Sequence, residues 1–261
     1  MIPSPILRAL STIRKHHVEY LLMGGQACVL YGAAEFSRDL DLAILSEPSN
    51  LDRLSSALHE LSATVIAIPP FQSRFLEEGL AVHFRCGHPE AEGLRIDVMT
   101  RMRGVDPFPN LWERRTTFEF GEESIEVLSL PDLITAKKTQ RDKDWPMIRR
   151  LVDAHFAVHR GDPTPERVSF WLRELRTPDF LVDVASAHPA SVAKLLADRP
   201  LLALATPVHL ADGTLQSALR DEESAERNLD AEYWRPLRKR LEELRRQRRD
   251  LEGSEDASDP S

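Results

Sequence analysis

Cysteine is scarce in this chain: among 261 residues only Cys28 and Cys86 carry thiols, far apart and without CxxC spacing. That leaves no disulfide framework and no thiolate zinc site, and a reducing cytoplasm is the expected compartment. Long apolar runs are missing as well. No uninterrupted stretch reaches the ~18–20 residues that span a bilayer, and residues 1–17 lack the apolar core and cleavage site of a signal peptide. The expectation is an unprocessed cytosolic protein without membrane contact. Positive charge is in deficit: 34 Lys and Arg stand against 42 Asp and Glu, a formal net charge of -8, which disfavours a surface built wholly for nucleic acid. Basic residues nonetheless gather in 101–115, 137–143 and 235–249, and acidic ones in 221–232 and 252–259, so a polyanion such as tRNA suits one face at most. What is present in bulk, 42% hydrophobic and 29% charged residues, is the composition of a globular protein with one large domain or two small ones.

Helical spacing of Ile6, Leu7, Leu10 and Ile13 predicts a first helix, and residues 18–23 a strand that ends at Gly24-Gly25. A short helix over 26–31 and a strand over 39–45, alternating acidic and apolar, follow. Asn50 or Ser49 is the expected cap of a helix running to about Leu61. Further strands are expected at 64–68, 80–86 and 93–100, with a hairpin of 118–120 and 124–128 around Gly121. This order predicts an α+β fold, a mixed sheet flanked by helices with a βαβ start. Ser129-Leu-Pro-Asp132 has capping-box spacing and predicts a helix over 131–141, then another over 145–159. Residues 166–198 and 211–251 read as helices. The expected layout is a sheet domain over 1–160, a helical C-terminal region over 161–252 and a disordered tail over 253–261.

The chemistry lies in the acidic residues. Asp39 and Asp41 are two apart on a predicted strand, so both project from one face while Leu40 turns to the core. Two carboxylates roughly 4 Å apart repel by about 4 kcal/mol at an effective dielectric near 20, and a cation turns that repulsion into ligation. Magnesium, or manganese in its place, completes a few hard oxygen ligands with water and substrate phosphates. Asp97, between the apolar strand residues Ile96 and Val98, is expected to join the pair as a third catalytic and metal-binding carboxylate. Gly24-Gly25 either lets backbone approach a phosphate at a helix start or simply makes a tight strand-to-helix turn, and Ser37 is placed either to donate to a phosphate oxygen or to cap its turn.

Together Gly24-Gly25, Ser37-Arg38-Asp39-Leu40-Asp41 and Ile96-Asp97-Val98 resemble the DNA polymerase β-like nucleotidyltransferase superfamily, and within it the abortive-infection type IV toxin branch. Residues 130–137, followed by Arg141-Asp142-Lys143-Asp144, resemble that family's helical segment carrying a lysine and a late aspartate near the nucleotide. The resemblance covers about residues 15–155. It implies magnesium on Asp39, Asp41 and Asp97, triphosphate contacts from Gly24, Gly25 and Ser37, and charge neutralisation by Lys137. Relatives commonly carry an arginine a few residues before the acidic pair, where this chain has Ala34 and Glu35; Arg38 is the substitute at hand. The implied reaction moves a nucleoside monophosphate from an NTP such as ATP to an acceptor hydroxyl, on a tRNA 3' end, a protein or a small molecule, with an antitoxin as a further partner. The rival is a non-catalytic nucleotide-binding or antitoxin-like protein of the same fold.

Weaker signals remain. His155 and His159 have i,i+4 zinc-pair spacing, but Phe156 stands where a general-base glutamate would be and no third ligand is evident, so a structural or surface role is expected. Trp112 with Arg114 and Arg115 reads as packing with snorkelled charge before it reads as a base-stacking site. His83 is expected in the core or at an edge. The leucine-interleaved basic run over 235–249 reads first as an amphipathic surface helix, second as an RNA-binding arm.

Overall fold

The structure is a computed structural model that describes residues 4–34, 36–120 and 123–256. The chain divides into two compact units: residues 1–30, 34–136 and 232–261 form the first, residues 31–33 and 137–231 the second. The second unit therefore begins well before the boundary near 160 that composition indicates, and takes in the helix expected over 145–159.

Seven strands build the first unit: β1 Tyr20–Met23, β2 Leu40–Ile44, β3 Thr64–Val65, β4 Val82–Arg85, β5 Arg95–Met99, β6 Thr116–Phe120 and β7 Glu123–Val127. Their order is β3-β4-β5-β2-β1-β7-β6. β1 and β2 are wholly or almost wholly buried, as central strands covered on both sides must be. Pairing is parallel for β2 with β5 and for β1 with β7, and antiparallel elsewhere, so the sheet is mixed and the fold is α+β. The expected βαβ start is corrected at one point: β1 and β2 run antiparallel. The short helix between them reverses the chain; it does not carry it across the sheet, and a parallel return would need a longer crossover.

Helices α1 Ser4–Lys15, α2 Gly24–Leu30, α3 Pro48–Glu60, α4 Ser73–Glu77 and α5 Phe108–Glu113 belong to this unit. α1 turns Ile6, Ala9, Leu10 and Ile13 inward. α3 begins at Glu47 without a side-chain cap; Pro48, with its preset φ, opens it. Asn50, expected as that cap, is instead fully buried and ties two strands together: its amide accepts from the Glu19 N–H and donates to the Glu19 and Leu45 carbonyls. α6 Leu130–Lys137 does start on the expected box, with Ser129 Oγ accepting from the Asp132 N–H. It stops at Lys137, short of the expected Arg141, because Thr139 and Arg141 turn to hydrogen-bond Asp144. The turn at Gly121 of the β6–β7 hairpin lies outside the described residues.

The second unit is helical: α7 Asp144–His159, α8 Pro165–Glu174, α9 Pro178–Ala187, α10 Pro189–Leu195, α11 Pro207–Ala211 and the first part of α12 Thr214–Asp256. The single helix expected over 166–198 is three, because Pro178 and Pro189 cannot continue a helix and each opens a new one. α12 runs through Gly253 to Asp256, beyond the point where a tail is expected; one glycine costs only ~1 kcal/mol and no proline follows before 260. Residues 257–261 lie outside the described ones. The later part of α12 belongs to the first unit, where Arg240 Nε donates to Glu78 Oε2 at 2.9 Å.

Candidate functional site

The register between β2 and β5 sets Asp41 directly opposite Asp97, and the register between β4 and β5 sets His83 opposite Asp97. Paired residues on neighbouring strands point to the same face, as do residues two apart on one strand, so Asp41, Asp97, His83 and Arg95 share a face. Asp39 is exposed and sits one residue ahead of β2, separated from Asp41 by the fully buried Leu40. Register thus gathers residues that are 56 positions apart, Asp41 and Asp97, at one place on the sheet.

Gly24 joins β1 to α2 with φ +66°, and a Cβ there would overlap the Asp41 carboxylate. Its missing side chain is what allows that carboxylate to lie against the turn. The Gly25 N–H, expected to face a phosphate, donates to Asp41 Oδ2 at 3.4 Å. A Cβ at Gly25 would collide with Ser37 Oγ, so this second glycine leaves room for the serine. Ser37 is held by its own backbone: its carbonyl accepts from Gln26 Nε2 at 2.7 Å, and its hydroxyl donates to the Asp39 carbonyl at 3.4 Å. Arg38 is exposed, its guanidinium 6.0 Å from the centre of the Phe36 ring. Glu35 lies outside the described residues.

Asp97 is the buried member, 9% exposed. Its Oδ1 accepts from Arg95 Nε at 2.7 Å and pairs with His83 Nδ1 at 2.8 Å. Burial pushes the carboxyl up, but the hydrogen bonds and charges of His83 and Arg95 outweigh it and hold the group below its ordinary value. The Arg95 guanidinium is raised in turn, first by its hydrogen bond to Asp97 and further by the charges of Asp97, Asp39 and Asp41. Arg95 is therefore a fixed cation felt by all three carboxylates. Sequence reasoning passed over both partners of Asp97, although i,i+2 spacing on a strand puts Arg95 on the face of Asp97.

This changes the donor set. Hard oxygens on Asp39 and Asp41 suit magnesium. Asp97, in contrast, already shares an oxygen between two nitrogens, and among the described residues no three His, Cys, Asp or Glu side chains group as a metal-holding set. The chemistry fits an ion held by Asp39 and Asp41 with the remaining ligands from water or substrate. Asp97 faces Asp41 across the β2–β5 pair, with Arg95 and His83 sharing one of its two oxygens.

Among the solved structures similar to this chain are two nucleotidyltransferase-like proteins. One is a provisionally assigned nucleotidyltransferase from H. pylori, 15% identical, with a TM-score of 0.39 over 86% of this chain and 94% of that one. The other is an antigenic nucleotidyltransferase-like protein from Paracoccidioides brasiliensis, 17% identical, with a TM-score of 0.38 over 77% of this chain and 89% of that one. No protein-family model matches the chain and no curated protein is similar to it. Likenesses this remote say nothing of what the chain binds.

Lys137 belongs to the second unit, where its ammonium donates to Asp144 Oδ1 at 3.1 Å. Asp144 is 2% exposed and also accepts from Thr139 and Arg141. Burial raises its carboxyl, and the Lys137 charge leads the effects that bring it below the ordinary value. Lys137 thus has a structural carboxylate partner. The Trp112 cluster is packing too: Arg115 lies 4.1 Å from the centre of the Trp112 ring and pairs with Glu126, while Arg114 grips Asp132 with two nitrogens. His155 accepts from Trp171 Nε1 at 2.9 Å, a core contact.

Proposed function

We propose that this chain is a nucleotidyltransferase: an acceptor hydroxyl oxygen attacks the α-phosphorus of an NTP, the α–β phosphoanhydride bond breaks, and pyrophosphate leaves. The observation that supports this reading above others is the Asp41–Asp97 register beside a left-handed Gly24 whose missing side chain accommodates the Asp41 carboxylate. Asp39 and Asp41 would hold a divalent ion, which when bound supplies charge compensation for the triphosphate. Gly24, Gly25 and Ser37 would shape the turn next to it, and Arg38 offers an exposed guanidinium for phosphate oxygens. Asp97, ionised and paired with Arg95 and His83, is a weak proton acceptor; its role is to hold Arg95 in place near the acidic pair. The acceptor classes are a tRNA 3' end, a protein hydroxyl and a small polyol, in a toxin–antitoxin or phage-defence setting.

Incubation with α-labelled NTPs and magnesium or manganese, in the presence of tRNA, protein extract or aminoglycosides, is the test. Label is expected on one acceptor class and is expected to vanish, at least 100-fold, in Asp39→Ala/Asp41→Ala without loss of folding. Transfer that survives the double substitution refutes the assignment. One observation favours the rival reading of a non-catalytic binding protein: Asp97 is neutralised by the protein itself. Metal-dependent NTP binding by the wild type, with no label on any acceptor, would decide for that rival.

A further inference from the structure

The second unit contains an imbalance of buried charge. Glu222 receives two guanidiniums: Arg176 Nη1 at 2.6 Å, and Arg199 Nε and Nη2 at 2.9 Å each. Arg176 is 4% and Arg199 5% exposed, so two buried cations share one carboxylate. Arg199 spends its other donors on the Leu172 and Leu175 carbonyls. Arg176 does not: its buried Nε has no hydrogen-bond partner. A desolvated guanidinium without full compensation is costly, and native folds keep such groups where something answers them.

Arg176 lines a cavity of about 220 Å³, together with Arg149, Arg220, Gln216 and Glu223. Glu223 is taken by Arg227, whose Nη2 and Nε both reach its Oε1. Arg149 and Arg220 are exposed and form no salt bridge among the described residues, though the charge of Arg149 acts on the Asp153 carboxyl. An adjoining cavity of about 300 Å³ shares Arg149 and Glu223 and adds Arg150, Arg227 with its partner Asp142, and Trp145, whose ring has the Arg176 guanidinium 4.9 Å and the Arg227 guanidinium 5.7 Å from its centre. The first cavity lies below the ~300–1,000 Å³ typical of sites for whole small molecules, which suits an ionic head group. The planar guanidiniums of Arg149 and Arg220, exposed at the cavity, match phosphate geometry, with the buried Arg176 charge behind them.

We propose that this arginine-lined cavity is a binding site for a phosphate group, as a phosphate monoester or as the diester of a polynucleotide strand. The site stands independently of the proposed transfer reaction.

Calorimetric titration of the full chain at constant ionic strength in chloride tests it, with inorganic phosphate, AMP and a short single-stranded RNA as three probes. Saturable binding of at least one probe is expected, weakened about tenfold or more in Arg149→Gln/Arg220→Gln and unchanged in Asp39→Ala/Asp41→Ala. Both arginines are exposed, so the double variant keeps the wild-type circular dichroism. RNA binding alone assigns a diester; phosphate and AMP binding assign a monoester. No heat from any probe, or equal affinity in the arginine variant, overturns the proposal.

Discussion

Gly24 carries the tightest constraint at the scale of single residues. Its φ of +66° is one that L side chains rarely adopt, and the place where its Cβ would stand is filled by the Asp41 carboxylate. Gly24→Ala is therefore expected to cost about 1–3 kcal/mol of stability, from backbone strain and from displacing Asp41. It should also lower metal-dependent NTP binding by tenfold or more while the protein remains folded at 25 °C. Urea unfolding and nucleotide titration of the variant check both parts; a variant that binds NTP as tightly as wild type would show that Asp41 need not lie against the turn. The glycine and the acidic pair were legible in the sequence because turn chemistry and period-two alternation are local. The partners of Asp97 were not. Nothing near Asp97 announces His83, which reaches it only through antiparallel pairing of β4 with β5, and Arg95 is visible only once the strand's face is known.

Strands and helices were recoverable where one local signal sets them, and failed where competing signals meet. The strand positions of β1, β2, β5 and β7 follow apolar alternation and turn residues, whereas the direction of β2 against β1 depends on how short the intervening helix is. Apolar spacing continues through residues 166–198, which hides the breaks that Pro178 and Pro189 enforce. α12 shows the reverse case, a helix that tolerates a proline. Pro236 is exposed in its middle and provides no N–H for the Glu232 carbonyl. Around it, Leu237, Leu241 and Leu244 are half-buried and Arg240 pairs with Glu78, contacts that offset the broken bond. Pro236→Ala restores the hydrogen bond and is expected to raise stability by about 1–3 kcal/mol, somewhat offset by a freer unfolded chain. Chemical denaturation followed at 222 nm measures it, and an unchanged or lower midpoint would mean that the proline ring is itself packed to advantage.

At the scale of the whole molecule, an acidic chain of net charge -8 would be expected to lose stability in acid mainly through its carboxylates, yet one histidine adds a separate contribution. Burial first, then the charges of His159 and Arg167, push His155 down from 6.5 to about 4. The geometry gives the reason: Nδ1 accepts the Trp171 indole N–H, and Phe170 and Trp171 close edge-on around the ring, so an imidazolium would lose its acceptor in an apolar setting. Because the folded group binds its proton more weakly than the unfolded one, its contribution is complete above pH 6.5 and is lost as pH falls toward 4. At ~1.4 kcal/mol per pKa unit the loss is on the order of 3 kcal/mol at most. His155→Gln keeps an acceptor for Trp171 and removes the titration. Urea midpoints at pH 7 and pH 4.5 should therefore fall further for wild type than for the variant. Equal falls for the two proteins would place the acid sensitivity outside His155; the ion pairs around Asp144 and Glu222, whose carboxyls are held below their ordinary values, give way mainly at still lower pH.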